Sequence, residues 1–182
     1  MEQMRQKKME WTDEEQISIC LTTCRTGYLG LSDGREPYVI PLNFVWFNKS
    51  IYFHGADEGR KVRIMEVNSS GCFTICEELG TMSNPVPAKT DTAYWSIMAF
   101  GNIERVTEVE EARNVMQQML DKYVPGYYNK PLASSHLEKY RSSLGSKTAI
   151  YKLCPTQITG KENPLNEKAR FTAGRTISMD LG

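Results

Sequence analysis

Runs rich in β-branched and aromatic residues recur through the first third of the chain, each closed off by a cluster of polar turn residues. They predict strands at about 26–32, 37–47 and 50–54. Ser32-Asp33-Gly34-Arg35 and Asn48-Lys49-Ser50 are the turns between them, so the three should form an antiparallel meander. The period then changes. Arg60–Asn68 reads as an amphipathic helix, with Val62, Met65 and Val67 on its apolar side. A strand follows at 71–77, a Ser-, Pro- and Gly-rich loop at Leu79–Asp91, and a long strand at about 93–106.

Two capping boxes mark longer helices. Thr12-Asp13-Glu14-Glu15 opens one that runs to about Cys24, and Thr107-Glu108-Val109-Glu110 opens another. The second places Ala112, Val115, Met116, Met119, Leu120 and Tyr123 on one face at helical spacing, which reads as core. Ser135–Leu144 predicts a shorter helix capped by Gly145, and Lys147–Leu153 the last strand. Residues 1–163 read as one domain and 164–182 as an extension that packs on the surface or on a second chain. Six or so mostly antiparallel strands with helices at their connections point to a mainly β fold, a small barrel. Pro41 stands inside a predicted strand without a ladder N–H, so it belongs at an edge, a bulge or a split.

Composition narrows the function classes. Lys+Arg and Asp+Glu are equal at 22 each, so the chain lacks the basic excess that nucleic acid selects. No run of 18 apolar residues predicts a membrane span, and the charged N-terminus MEQMRQKKMEW has no apolar stretch of secretory type. Five cysteines in no framework spacing read as reduced, buried thiols of a cytoplasmic protein; Cys72 and Cys76 share a strand face. With only two histidines, His54 and His136, no metal site is expected.

The chemistry concentrates in Ile51–Asn68, IYFHGADEGRKVRIMEVN. A strand ending at His54 runs into the turn Gly55-Ala56-Asp57-Glu58-Gly59, and Arg60 and Lys61 open a helix. A helix N-terminus presents unpaired N–H groups and a partial positive charge. Cations there oppose helix stability but suit a bound phosphate. Gly55 and Gly59 permit close backbone approach or simply set the turn. His54 could donate to a ligand atom or move a proton near neutral pH. Asn43 offers both a donor and an acceptor. Trp46, Tyr94, Trp95 and Phe100 read mainly as core, and Arg35, Arg63 and Lys89 as solvated charge.

Taken in order, GYLGL, PYVIPLNF, YFH followed by GRK, and SIMAFGNIE resemble the FMN-binding split-barrel superfamily related to pyridoxamine 5′-phosphate oxidase. More narrowly they are similar to its 5-nitroimidazole-resistance, or nitroimidazole reductase-like, branch. The resemblance runs from about Glu10 to Asn163. It implies a six-stranded antiparallel split β-barrel that is homodimeric, with FMN at the subunit interface. Arg60, Lys61 and the helix end would hold the phosphate, beside Gly55 and Gly59. Pro41, Leu42 and Asn43 would run along the ring system, with His54 on the substrate side and Ser96 as a further polar contact.

The implied activity is FMN-dependent reduction of a small aromatic acceptor, with a nicotinamide nucleotide or another electron donor. The alternative is a non-catalytic flavin- or haem-binding protein, with His54 as candidate haem ligand. One anion seat and no G-x-G-x-x-G favour FMN over FAD. Pyridoxamine phosphate oxidation fits poorly: that activity's arginine-containing terminal motif is replaced here by Leu153-Cys154-Pro155-Thr156-Gln157-Ile158.

Overall fold

The computed structural model describes residues 5–137 and 145–181. In chain order its elements are β1 (Glu10–Trp11), α1 (Glu14–Thr23), β2 (Thr26–Ser32), β3 (Pro37–Phe47), β4 (Ser50–Ala56), α2 (Arg60–Val67), β5 (Ser70–Met82), β6 (Asp91–Arg105), α3 (Val109–Tyr123), α4 (Ser134–Leu137), β7 (Thr148–Asn163) and α5 (Ile177–Leu181). The expected helix at 135–144 lies outside the described residues beyond Leu137. Internal contacts divide the chain into two units. The barrel unit is Glu14–Ile75 with Met98–Ile158; the tail unit is Met1–Asp13, Cys76–Ile97 and Thr159–Gly182.

In the barrel unit the strands run β7-β4-β3-β2-β5-β6, and β6 returns to pair with β7, closing a six-stranded ring. β2 lies antiparallel to both β3 and β5, and β4 antiparallel to both β3 and β7. Leu29, Phe44, Ile51, Phe53, Phe73 and Leu153 fill the interior, each essentially without solvent contact. Phe44 meets Phe73 edge-on at 4.8 Å, and Phe53 stacks on Tyr151 at 5.6 Å. Each such side chain contributes roughly 1.5–3 kcal/mol by burial. Closure demands close backbone approach: a Cβ on Gly101 of β6 would stand 2.0 Å from the Cys154 carbonyl oxygen of β7.

A second apolar layer forms outside the ring. The face of α3 predicted as core packs there: Val115, Met116 and Met119 are buried with Val45, Tyr52, Val106 and Ile150, while Ala112, Leu120 and Tyr123 flank them. The expected Thr107 cap does not form. Val106 is still tied to the sheet through its N–H to Ile150 O at 2.9 Å, and the helix starts one residue later than expected, at Val109, with Glu108 at the cap position and no side-chain cap bond.

In the tail unit β1 pairs with Gly160 and Lys161 of β7. Met82 bridges Arg170, and Arg175 ties the C-terminal segment together, donating to the carbonyls of Arg170 and Lys168 and to the Asp180 carboxylate. Part of the region expected as loop, 79–82, is strand here. No described helix is long and apolar enough to cross a membrane.

Candidate functional site

β3 and β4 begin as partners and then part. Phe44–Phe47 pair with Ser50–Phe53, but Pro37–Asn43 pair only with β2 and His54–Ala56 only with β7. The Tyr123 hydroxyl accepts from Phe44 N–H at 2.8 Å and donates to the Phe44 and Arg25 carbonyls. Phe44 therefore turns its backbone toward the β2 side. By alternation, Asn43, Pro41 and Val39 turn theirs toward the edge that β4 has left. Pro41 thus sits at a split edge, where a missing N–H costs no ladder bond. The side chains of Pro41 and Asn43 are exposed, and Leu42 is half-buried on the opposite face.

Helix α2 reaches both lips of this split. Gly59, at its cap position, has φ +103°, a conformation that favours glycine, and no side chain caps the helix. Its first turn contains no carboxylate. Arg60 points to the β3 lip: its guanidinium donates to Glu36 Oε2 at 2.7 Å and lies 4.7 Å from the Tyr38 ring centre. Lys61 points to the β4 lip and donates to the Ala56 carbonyl at 3.0 Å, 5.9 Å from the Tyr151 ring centre. It folds over Gly55, where a Cβ would stand 2.6 Å from Nζ, so glycine gives the ammonium its room. The helix is anchored by Ile64, which is buried; Val67, expected on the apolar side, is exposed.

Electrostatics follow from this placement. Partial burial lowers the Lys61 pKa, and among the described residues no carboxylate pairs with its charge. His54 is an exposed side chain on β4 whose pKa is also lowered, first by desolvation among surrounding protein atoms and then by the Lys61 ammonium. At neutral pH it is the neutral imidazole, with one N–H donor and one acceptor.

FMN carries one phosphate at the end of its ribityl chain, and two observations bear on whether these residues suit it. The space above Gly55 lets a cation lie flat beside an uncapped helix end. Tyr151, only 5% exposed, keeps a hydroxyl with no hydrogen-bond partner beneath Lys61. The residues fit a single phosphate group.

Eight of the nine expected site residues therefore flank one feature: Pro41, Leu42 and Asn43 on one lip, His54 and Gly55 on the other, and Gly59, Arg60 and Lys61 at the helix end. Ser96 belongs to the tail unit, half-buried on β6. The two basic residues diverge rather than converge, because Glu36 draws Arg60 away from Lys61. Tyr123 and Tyr151 also bear on the split, and no local motif distinguishes them from core aromatics: pairing of β7 with β4 brings in Tyr151, and the end of α3 brings in Tyr123.

The aromatic expectation is corrected. Trp46, Tyr94 and Trp95 are half-buried and Phe100 is exposed. Trp46 donates to Ser18 Oγ, and within the tail unit Trp95 packs near Trp11 and Tyr94 lies under Lys161. Tyr94 and Phe100 alternate with the buried Ala93, Ile97 and Ala99 and so face outward, whereas Trp46 and Trp95 share the parity of buried neighbours and are still only half-buried. Nor are the thiols buried: Cys20, Cys24, Cys72 and Cys154 are half-exposed and Cys76 is exposed, and none is in a disulfide. Among the described residues no three metal-ligating side chains cluster.

The family model described as Pyridoxamine 5′-phosphate oxidase matches residues 13–162. No curated protein matches in sequence. Solved structures are similar in fold. The flavocytochrome Anf3 from Azotobacter vinelandii superposes with a TM-score of 0.74 at 19% identity, over 91% of this chain and 76% of that one. A candidate 5-nitroimidazole antibiotic resistance protein from Bacteroides thetaiotaomicron gives 0.66 at 22% identity, over 84% and 85%. The FAD and haem binding protein from Mycobacterium smegmatis gives 0.69 at 15% identity, over 88% and 77%.

Proposed function

The chain belongs to the pyridoxamine 5′-phosphate oxidase family, and from that premise we propose that it is a flavin-dependent oxidoreductase that uses FMN to reduce a small aromatic acceptor of the nitroimidazole type. The observation that carries this reading is the uncapped N-terminus of α2, set across a barrel split with Lys61 laid over Gly55. Gly59, Lys61 and the free N–H groups of the first turn hold the phosphate, and Arg60 joins them by exchanging Glu36 for it. Pro41, Leu42 and Asn43 follow the ring edge along the β3 lip. When bound, the flavin supplies the two-electron chemistry.

The chain's own residues bind, orient and exclude water. His54, neutral at pH 7, donates one hydrogen bond to the acceptor and positions it. The electron donor is a nicotinamide nucleotide or a reductant of similar potential.

A second copy completes the pocket in this reading. The outer sheet face of the barrel unit exposes Tyr28, Val39, Met98 and Phe100, and a groove of about 470 Å³ runs among Pro37, Val39, Cys72 and Phe100. Contiguous apolar surface of this kind suits an isologous homodimer.

The alternative is a non-catalytic flavin or haem carrier, favoured by the resemblance to a flavocytochrome and to a FAD and haem binding protein. Absorption spectroscopy of the purified protein, with mass analysis of what denaturation releases, separates the two. FMN alone, with acceptor-dependent reoxidation after reduction, supports the oxidoreductase. A Soret band lost in His54→Ala supports the carrier.

A further inference from the structure

We propose that the barrel unit carries a separate subsite for an adenosine 5′-phosphate group, in the groove between α2 and the β2–β3 turn. The groove holds about 470 Å³, within the roughly 300–1,000 Å³ range of small-molecule pockets. Three arginines line it: Arg35 from the turn, and Arg60 and Arg63 from successive turns of α2. Only Arg60 has an ion-pair partner, Glu36; among the described residues neither Arg35 nor Arg63 has one. Three guanidinium groups lining one concavity suit a doubly charged phosphate, which they can meet with planar, forked hydrogen bonds.

The remaining wall suits a purine rather than a bare ion. Val67, 73% exposed, supplies the apolar surface; Ile64 also borders the groove but is itself buried. Glu36 offers a carboxylate acceptor for an exocyclic amine. The other acid, Asp33, is already committed: its Oδ1 accepts from the backbone N–H groups of Arg35 at 2.9 Å and Glu36 at 3.2 Å, so it shapes the turn instead of filling the groove. Because Arg60 also borders the flavin phosphate seat, the subsite continues that seat away from the ring system; in this respect it rests on the flavin reading. The adenosine phosphate has two possible sources, the far half of a dinucleotide flavin or of a nicotinamide dinucleotide donor.

The test is calorimetric titration of the full chain with 5′-AMP, FMN, FAD and NADH, repeated on the Arg35→Gln/Arg63→Gln variant, which leaves Arg60 and Lys61 intact. Saturable 5′-AMP binding that weakens at least about tenfold in the variant, with FMN affinity changed less than about twofold, supports the subsite. FAD binding tighter than FMN, with AMP displaced, assigns it to the flavin; NADH displacing AMP from the FMN-loaded protein assigns it to the donor. No AMP binding, or AMP binding indifferent to the two arginines, overturns it. AMP binding without any FMN binding supports the subsite and counts against the flavin seat instead.

Discussion

Lys61 and His54 answer to one another across β4, and their titration makes the relation measurable. The His54 pKa in the folded chain lies below the ordinary imidazole value, so the unfolded chain binds more protons in the interval between the two. Stability therefore falls as pH drops through about 6.5 toward the folded value. An anion seated on Lys61 neutralises the charge that contributes to the depression. NMR titration should accordingly give a His54 pKa below that of an unfolded control, rising when phosphate-bearing flavin is added. A second expectation concerns Lys61 itself. Its ammonium is half-buried and, among the described residues, has no ion-pair partner, so its charge costs stability when no anion is bound. Lys61→Met should raise the melting temperature while weakening FMN binding by at least about tenfold, the scale of one charge-assisted hydrogen bond. Lower stability together with unchanged binding would assign Lys61 a structural role.

At the level of elements, the strands that were legible are those whose turns are written locally. β2 and β3 run at 26–32 and 37–47 as expected, because Asp33-Gly34 and Asn48-Lys49 punctuate them; Asn48 and Lys49 both adopt positive φ. The far ends of β5 and β7, at Met82 and Asn163, depend on partners distant in sequence, and no local signal announces them. The two-residue β1 is invisible for the same reason. The glycine turn before α2 was legible, since φ at Gly59 and space at Gly55 are properties of the residue itself. The divergence of Arg60 and Lys61 was not, because it is set by Glu36 and Ala56 on different strands.

Ring closure has its own test. Gly101→Ala forces a methyl against the Cys154 carbonyl, and backbone cannot yield as a flexible side chain does; denaturant unfolding should show a loss of about 2 kcal/mol or more. Tyr123→Phe removes the hydroxyl that accepts from Phe44 N–H and donates to the Phe44 and Arg25 carbonyls where β2 begins. It should cost about 1–3 kcal/mol and leave the α2 end unaltered. An unchanged midpoint in either variant would remove that contact from the account.

For the whole molecule, the question is what covers the apolar outer face and what fills the split. Light scattering at micromolar concentration should report a dimer, and Val39→Glu should shift it toward monomer by placing a charge at the centre of that face. A monomeric wild type with flavin bound would mean that one chain encloses its ligand alone. The central claim is narrower: the α2 end recognises a phosphate. It is tested most directly by equilibrium titration of the stripped protein with FMN and with riboflavin, which differ by that phosphate alone, in the wild type and in Arg60→Ala/Lys61→Ala. FMN should bind at least about tenfold more tightly than riboflavin to the wild type, and the advantage should disappear in the double variant while riboflavin affinity stays level. Equal affinities in the wild type, or an FMN advantage that survives loss of both side chains, would contradict it.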